Sequence, residues 1–262
     1  MTKIVAIIQA RTDSTRFPKK VLADILGKPM IVYLIERVKR SKLIDQLVIA
    51  TTTRKIDDPI IDVAKKNKIN IFRGNFEDVL DRYYKAAKKY QADIVVRITG
   101  DCPLIDPHIV DRIIQYFLEN KYDYVTNTLE PTYPDGLDVE VFSFKALEKA
   151  WKEAQLPSER EHVTPYIINH PEKFKISNVR NSVDLSYLRW TVDQKEDLEF
   201  VREIFKRLYK EKTMFHMEDI LELLQKYPDL KEINAGIKRN QGYLSSLKKD
   251  KICKRSKKHG EK

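Results

Sequence analysis

At 262 residues the chain is long enough for one full core, removing roughly 75% of the unfolded chain's surface from water, and its two widely spaced cysteines, Cys102 and Cys253, exclude a disulfide scaffold and a structural zinc site. No run reaches the ~20 apolar residues of a membrane span and the N-terminal apolar run is too short for a signal peptide, so a soluble cytoplasmic protein with no membrane partner is expected. The net charge of +10 suggests nucleic acid, but +6 of it sits in residues 248–262, which lack aromatic interleaving and any nucleic-acid module signature and so read as a solvated, disordered tail with no nucleic-acid partner.

Residues 3–9, Lys-Ile-Val-Ala-Ile-Ile-Gln, form the first predicted strand, almost wholly apolar and β-branched as expected of a parallel strand buried on both faces. Its carboxyl end, the side on which open α/β sheets bind ligands, opens into Ala10-Arg11-Thr12-Asp13-Ser14-Thr15-Arg16-Phe17-Pro18-Lys19-Lys20, a loop of net charge +3. Arg11, Arg16 and Lys20 can surround a triphosphate while backbone amides and the Ser14 hydroxyl donate to its oxygens. A solvated basic turn shaped by Pro18 is the plainer alternative. The loop has neither the GxxxxGK[ST] of a Walker loop nor any glycine for a dinucleotide fingerprint.

A helix follows near 29–41, with Met30, Ile31, Leu34, Ile35 and Val38 on one face. Strand 47–52, helix 57–67, strand 70–73, helix 76–90 and strand 93–99 continue the alternation that marks βαβ units, so the fold class is α/β: a mainly parallel, Rossmann-like sheet with helices on both faces. The last of these strands delivers Thr99-Gly100-Asp101-Cys102-Pro103. Asp101, set between a glycine and a proline, suits a hard cation such as Mg2+, which favours one or two carboxylates plus substrate phosphates. A turn former or helix cap explains it as simply. Cys102 reads as a small buried neighbour, because no histidine in the motif could activate it.

Helix 107–120 and strand 122–128 come next, then turns at Pro131, Pro134, Asp135 and Gly136, then a half-buried strand at 137–142 that alternates apolar with acidic residues. A strand predicted at 185–192 ends in Asp193, and a helix with Leu198, Val201, Ile204, Phe205 and Leu208 on one face follows it, as does a shorter helix at 217–226. Asp193 is either a helix cap or the second carboxylate of a metal site with Asp101, while Asp197 reads as a first-turn acid favoured by the helix dipole. No linker precedes about residue 235, giving a catalytic domain at 1–235, an extension at 236–247 and the basic tail at 248–262.

The string from Ala10 to Lys20, followed by Gly27-Lys28-Pro29-Met30-Ile31, resembles the N-terminal motif of the CMP-sugar synthetases, the cytidylyltransferases for 3-deoxy-manno-octulosonate and acylneuraminate. TGDCP at 99–103 resembles that family's metal loop and TVDQKEDL at 191–198 its D-x-x-E-D-L segment, whereas DGLDVEVF (135–142), SEREHVTPYI (158–167), LRWTVD (188–193) and RNQGYLSSL (239–247) resemble its spore coat polysaccharide biosynthesis protein F branch. The resemblance implies a nucleotidyltransferase sheet of the GT-A-like type. It places Ala10, Arg11, Ser14, Arg16, Lys20 and Thr99 at the nucleotide, with Lys20 and Arg16 catalytic, and Asp101 and Asp193 on Mg2+. It draws the sugar pocket from Asp135, Asp138, Glu140, Arg160 and His162, although Arg160 and His162 could instead pair with Glu159 and Glu161 along a helix face. Lys19 stands where the family loop often has glycine, and Thr99 where the octulosonate enzymes often have glutamine. The implied reaction moves CMP from CTP to a sugar or sugar acid, releasing pyrophosphate, in surface polysaccharide biosynthesis. Relatives often pair, which leaves a homodimer open. A glycosyltransferase that consumes nucleotide sugars and a non-catalytic nucleotide-binding protein of polysaccharide assembly are the competing readings.

Overall fold

A computed structural model describes residues 2–209 and 214–260. In its first half, β1 (Ile4–Gln9) leads through the basic loop to a small hairpin, β2 (Asp24–Ile25) and β3 (Lys28–Pro29), and then come α1 (Met30–Val38), β4 (Gln46–Thr52), α2 (Asp58–Lys66), β5 (Asn70–Gly74), α3 (Val79–Lys89), β6 (Ile94–Thr99) and α4 (Pro107–Glu119). The second half holds β7 (Tyr124–Thr126), β8 (Glu140–Ser143), α5 (Phe144–Glu153), α6 (Pro157–His162), α7 (Pro165–Ile168), β9 (Ile176–Asn178), α8 (Lys195–Leu208), α9 (Met217–Lys226) and α10 (Gln241–Gly260).

β1 has no polar face, and that places it in the middle of the sheet. Ile4, Ala6 and Ile8 enter an apolar layer shared with α1, α4, α8 and α9, while Val5 and Ile7 enter a second layer with α3, α5 and α7. Two-sided burial of this kind is what covered parallel sheets require. The seven strands run in the order β5-β4-β1-β6-β8-β7-β9, and β8 alone is antiparallel to its neighbours. The expected α/β architecture, mainly parallel with helices on both faces, is therefore the observed one. Short polar caps fix where helices begin: the Asp78 side chain accepts from Asp81 N at 2.8 Å for α3, and Asp106 accepts from His108 N at 2.8 Å for α4 and from Met217 N at 2.7 Å for α9.

Three sequence expectations change. Residues 185–192 form no sheet strand. They run extended as a strip whose backbone alternately serves two loops, with Leu188 O accepting from Asp135 N, Trp190 N donating to Asp135 O and Val192 N donating to Asp101 O at 2.9, 2.6 and 2.8 Å. The apolar pattern of the strip reports its burial, not membership of a sheet. The strand expected at 137–142 starts only at Glu140, and β9 escaped notice because Ile-Ser-Asn carries one apolar residue.

The third change concerns the tail expected to be disordered. Residues 248–260 continue α10 as helix, and residues 261 and 262 lie outside the described ones. Charge counting does not register the contacts of Ser246 and Asp250, which lie one helical turn apart and both face α6. Ser158 N and Oγ donate to Asp250 at 2.9 and 2.6 Å, and Ser246 Oγ donates to Glu161 at 2.8 Å and lies 3.0 Å from His162 Nε2. Burial, and then the positive charge of Arg97, push the His162 imidazole down from 6.5 to about 4. The unfolded chain thus takes up a proton first on acidification, so this contribution to stability is complete above pH 6.5 and is lost as pH falls toward about 4. A His162→Gln variant is expected to show a flatter fall in urea midpoint across that interval than the parent, and identical profiles would contradict the assignment. Among the described residues no helix is long and apolar enough to cross a membrane.

Candidate active site

A buried acid sets the shape of the basic loop. Asp57 Oδ1 accepts from Thr12 N and Thr12 Oγ1 at 2.7 and 2.8 Å, and its other oxygen accepts from the Thr52 hydroxyl. Lys19 N closes the loop on Thr12 O at 2.7 Å, and Lys19 itself is left-handed at φ 59°, a conformation that costs a non-glycine residue about 1–2 kcal/mol. The resemblance expects glycine at that position, and the geometry supplies the reason. The turn directs Lys20 inward.

There Lys20 Nζ donates to Asp101 Oδ2 at 2.8 Å, Asp193 Oδ1 at 2.7 Å and Val192 O at 2.9 Å, so all three of its protons are engaged. Arg16 Nη2 lies 2.7 Å from the same Asp193 oxygen, and Arg16 Nη1 reaches Gln241 Oε1 of α10 at 3.4 Å. The site thus joins three stretches of chain more than 80 residues apart in sequence. Burial disfavours the Lys20 ammonium, but the charges of Asp101 and Asp193 outweigh it and raise its pKa above the usual lysine value. Burial likewise opposes the Asp101 carboxylate, and Lys20 overrides it, holding Asp101 well below the carboxylate range. Gly100 allows this approach: a Cβ there would stand 2.7 Å from Gln9 O and 3.2 Å from Ala10 Cβ, so the ends of β1 and β6 meet only because it has none.

Asp193 is left available by its neighbour. Asp197 Oδ2 accepts from the backbone N of Asp193 and Gln194 at 2.8 and 2.9 Å, the first-turn role expected of it, and the Asp193 side chain caps nothing. Arg189 then ties the acids together. Its Nε and Nη2 fork onto Asp197 at 2.8 and 3.0 Å, Nη1 donates to Asp135 Oδ2 at 2.9 Å, and Nη2 lies 3.3 Å from Asp193 Oδ2. Sequence reasoning passed over Arg189, although its i, i+4, i+8 spacing to Asp193 and Asp197 was a usable signal. The loop opposite turns at Gly136, whose φ is +110° and where a Cβ would meet Thr191 N and Trp190 C, each at 2.6 Å. Gly136→Ala is expected to cost upwards of about 2 kcal/mol from the conformation and the backbone clash together, read as a lower urea midpoint. An unshifted midpoint would show that the strip can move aside.

The remaining candidates divide. Asp135 and Asp138 face this same end of the sheet, where Arg239 Nη2 donates to Asp138 Oδ1 at 2.6 Å and Arg239 Nε lies 3.6 Å from Asp135 Oδ1. Burial, with the adjacent Asp138 charge, pushes Asp135 up to about 7 against the pull of Arg239 and Arg189, and burial also raises Asp138. Glu140 is instead locked inside, accepting from Tyr124 Oη at 2.7 Å and Thr164 Oγ1 at 2.6 Å and paired with Arg97. Arg160 is committed to Asp78, with Nε at 3.0 Å, and to Trp151 O at 2.8 Å, and His162 to α10, so neither pairs with Glu159 or Glu161 and neither is brought to Lys20. Arg11 stacks over the Phe76 ring at 5.0 Å, with Arg54 over the same ring at 4.4 Å. Ala10 is buried, Ser14 Oγ accepts from Phe17 N at 3.4 Å, and Thr99 Oγ1 lies 3.2 Å from the Sγ of Cys102, a buried thiol whose pKa burial raises.

A mainly parallel sheet whose first loop brings cations to two carboxylates, one past β6 and one at the end of the extended strip, is the arrangement of a nucleotidyltransferase. The chain belongs to the cytidylyltransferase family, which matches residues 5–247. The uncharacterized protein MJ1063 of Methanocaldococcus jannaschii is 40% identical over 238 residues, covering 90% of this chain and 96% of the relative. The spore coat polysaccharide biosynthesis protein SpsF of Bacillus subtilis is 32% identical over 238 residues, covering 87% and 97%. A 3-deoxy-manno-octulosonate cytidylyltransferase of Trichlorobacter lovleyi is 42% identical over 118 residues, 45% of this chain and 46% of that one. The solved cytidylyltransferase of Leptospira borgpetersenii superimposes with a TM-score of 0.84 at 38% identity, covering 88% of this chain and 97% of that one.

Proposed function

We propose that the protein transfers CMP from CTP to a sugar or sugar acid in the synthesis of a surface polysaccharide, releasing pyrophosphate. The observation that carries this reading is the convergence of Arg16, Lys20, Asp101 and Asp193 at the carboxyl ends of the central strands. The likeness to SpsF, a protein named for spore coat polysaccharide biosynthesis, supports the cellular role. In the reaction a substrate hydroxyl attacks the α-phosphorus in line, a new P–O bond forms, and the bond to the β-phosphate oxygen breaks. Lys20, kept protonated by its two acids, and Arg16 take up the charge that grows on the departing pyrophosphate. Two hard carboxylate oxygens that both lie within 2.8 Å of one ammonium suit a divalent cation, and Asp101 and Asp193 would hold Mg2+ there. Bound Mg2+ supplies charge neutralisation on the phosphates and orientation of their oxygens. Family membership favours making a nucleotide sugar over consuming one, which sets the glycosyltransferase and non-catalytic readings aside. A reaction that draws on CTP supports the expected cytoplasmic location.

The test is pyrophosphate release from each of the four nucleoside triphosphates with Mg2+ and a panel of sugars, sugar acids and sugar phosphates. Release with CTP alone is expected. Release with UTP in preference to CTP, or with no combination, would overturn the reading.

A further inference from the structure

The segment leading into α10 enters the site at one side chain. Asn234 Nδ2 pins that segment, donating to Arg189 O and Asp197 Oδ1 at 3.0 Å each, and five residues later Arg239 turns its guanidinium into the 135–138 loop. Nη2 is bonded to Asp138 at 2.6 Å and Nε faces Asp135 Oδ1 at 3.6 Å, whereas Nη1 is buried with no partner among the described residues. A buried donor left unpaired is rare in folded proteins, and one on a permanent cation is the least expected. Pairing Asp138 needs only a point charge. A planar fork with one edge occupied and the other unpaired is the form in which proteins bind anionic oxygen groups.

The loop that Arg239 faces also lies beside the reacting end of the site. Trp190 N donates to Asp135 O and Val192 N to Asp101 O along one extended strip, so the two acidic loops are two residues apart on it, roughly 7 Å. Asp135 and Asp138 can accept hydroxyl groups from any sugar. An unpaired guanidinium donor binds an anionic oxygen more strongly than a hydroxyl, because a hydrogen bond between two charged groups is roughly twice as strong as a neutral one.

We propose that Arg239 Nη1 receives an anionic oxygen group of the acceptor sugar, a carboxylate or a phosphate, and thereby determines which acceptors the enzyme takes. The inference rests on the cytidylyl transfer proposed above. The experiment measures pyrophosphate release with CTP, Mg2+ and 3-deoxy-manno-octulosonate, N-acetylneuraminate, glucose 6-phosphate or neutral glucose, for the parent, Arg239→Gln, Arg239→Lys and the pair Arg239→Gln with Asp138→Asn. Release is expected with an acid or a phosphate and not with glucose, and the arm that responds identifies the group. Arg239→Gln should raise KM for that acceptor at least 10-fold with KM for CTP unchanged, and Arg239→Lys should recover part of the loss. The double variant removes the Asp138 charge that the single change leaves unpaired, so a purely structural role predicts recovery and the proposed role predicts a KM that stays high. Parent release with glucose as the best acceptor, or an unchanged KM in Arg239→Gln, overturns the inference and leaves cytidylyl transfer standing. No release with any acceptor overturns both.

Discussion

Lys20→Ala is expected to lower the rate of CTP-dependent pyrophosphate release by about 10³-fold, the scale on which a single preorganised cationic or hydrogen-bonding contact to transition-state charge acts. The ammonium is largely buried, bonded to both acids, and set by a loop whose anchor on Asp57 does not involve it, so removing it deletes the charge without dismantling the turn. Arg16 remains on Asp193, but Asp101 loses the partner that holds it below the carboxylate range. In the parent that depression contributes stability above the ordinary carboxylate pKa of 3.8 and loses it as pH falls further, so the variant should lose less stability on acidification. The rate and the acid limb of the stability profile should therefore change together. A parent-like rate in a folded Lys20→Ala protein would remove Lys20 from the reaction.

Arg189→Met carries the largest expected cost in stability, about 3–5 kcal/mol, because breaking a buried ion pair strands the charges it held. Three carboxylates depend on this guanidinium, and one of them, Asp197, is wholly buried. Two other donations to Asp197, from the backbone N of Asp193 and Gln194, hold the entry to α8, so the variant should fray that end and release Asp193 from its position. Arg189→Lys keeps the charge but not the fork, and should fall between. Urea unfolding reads both, and an Arg189→Met midpoint equal to the parent's would mean that the acids find other partners.

The sequence made one half of this site readable for a physical reason. Arg16, Lys20 and Asp101 lie just past strands whose apolar runs mark them as central, and Asp193 lies just before a helix whose spacing is clear. Position in an α/β sheet then does the rest. The half around Arg189 and Arg239 has no such marker. Arg189 and Asp135 meet across 54 residues and Arg239 and Asp138 across 101, through a strip and a loop with no helical or strand period. Glu140 alternates with apolar neighbours as a pocket residue would, yet its partners Arg97, Tyr124 and Thr164 turn it into an internal polar knot. Arg160 reads as a free cation on a short helix until Asp78, 82 residues earlier, is placed beside it. Composition does not report that Ser246 and Asp250, and no apolar stripe, fasten α10 to α6.

The reversed strand β8 has a consequence for how such an enzyme can diversify. Because β8 runs against β6, the residues that precede it, and not those that follow it, arrive at the edge where the basic loop ends. On the function proposed above, the nucleotide is handled by the basic loop with Asp101 and Asp193, and the acceptor by the later 135–138 loop with Arg239. Insertions or exchanges between β7 and β8 would then retune the acceptor while the basic loop keeps its sequence, so one scaffold would serve several acceptors.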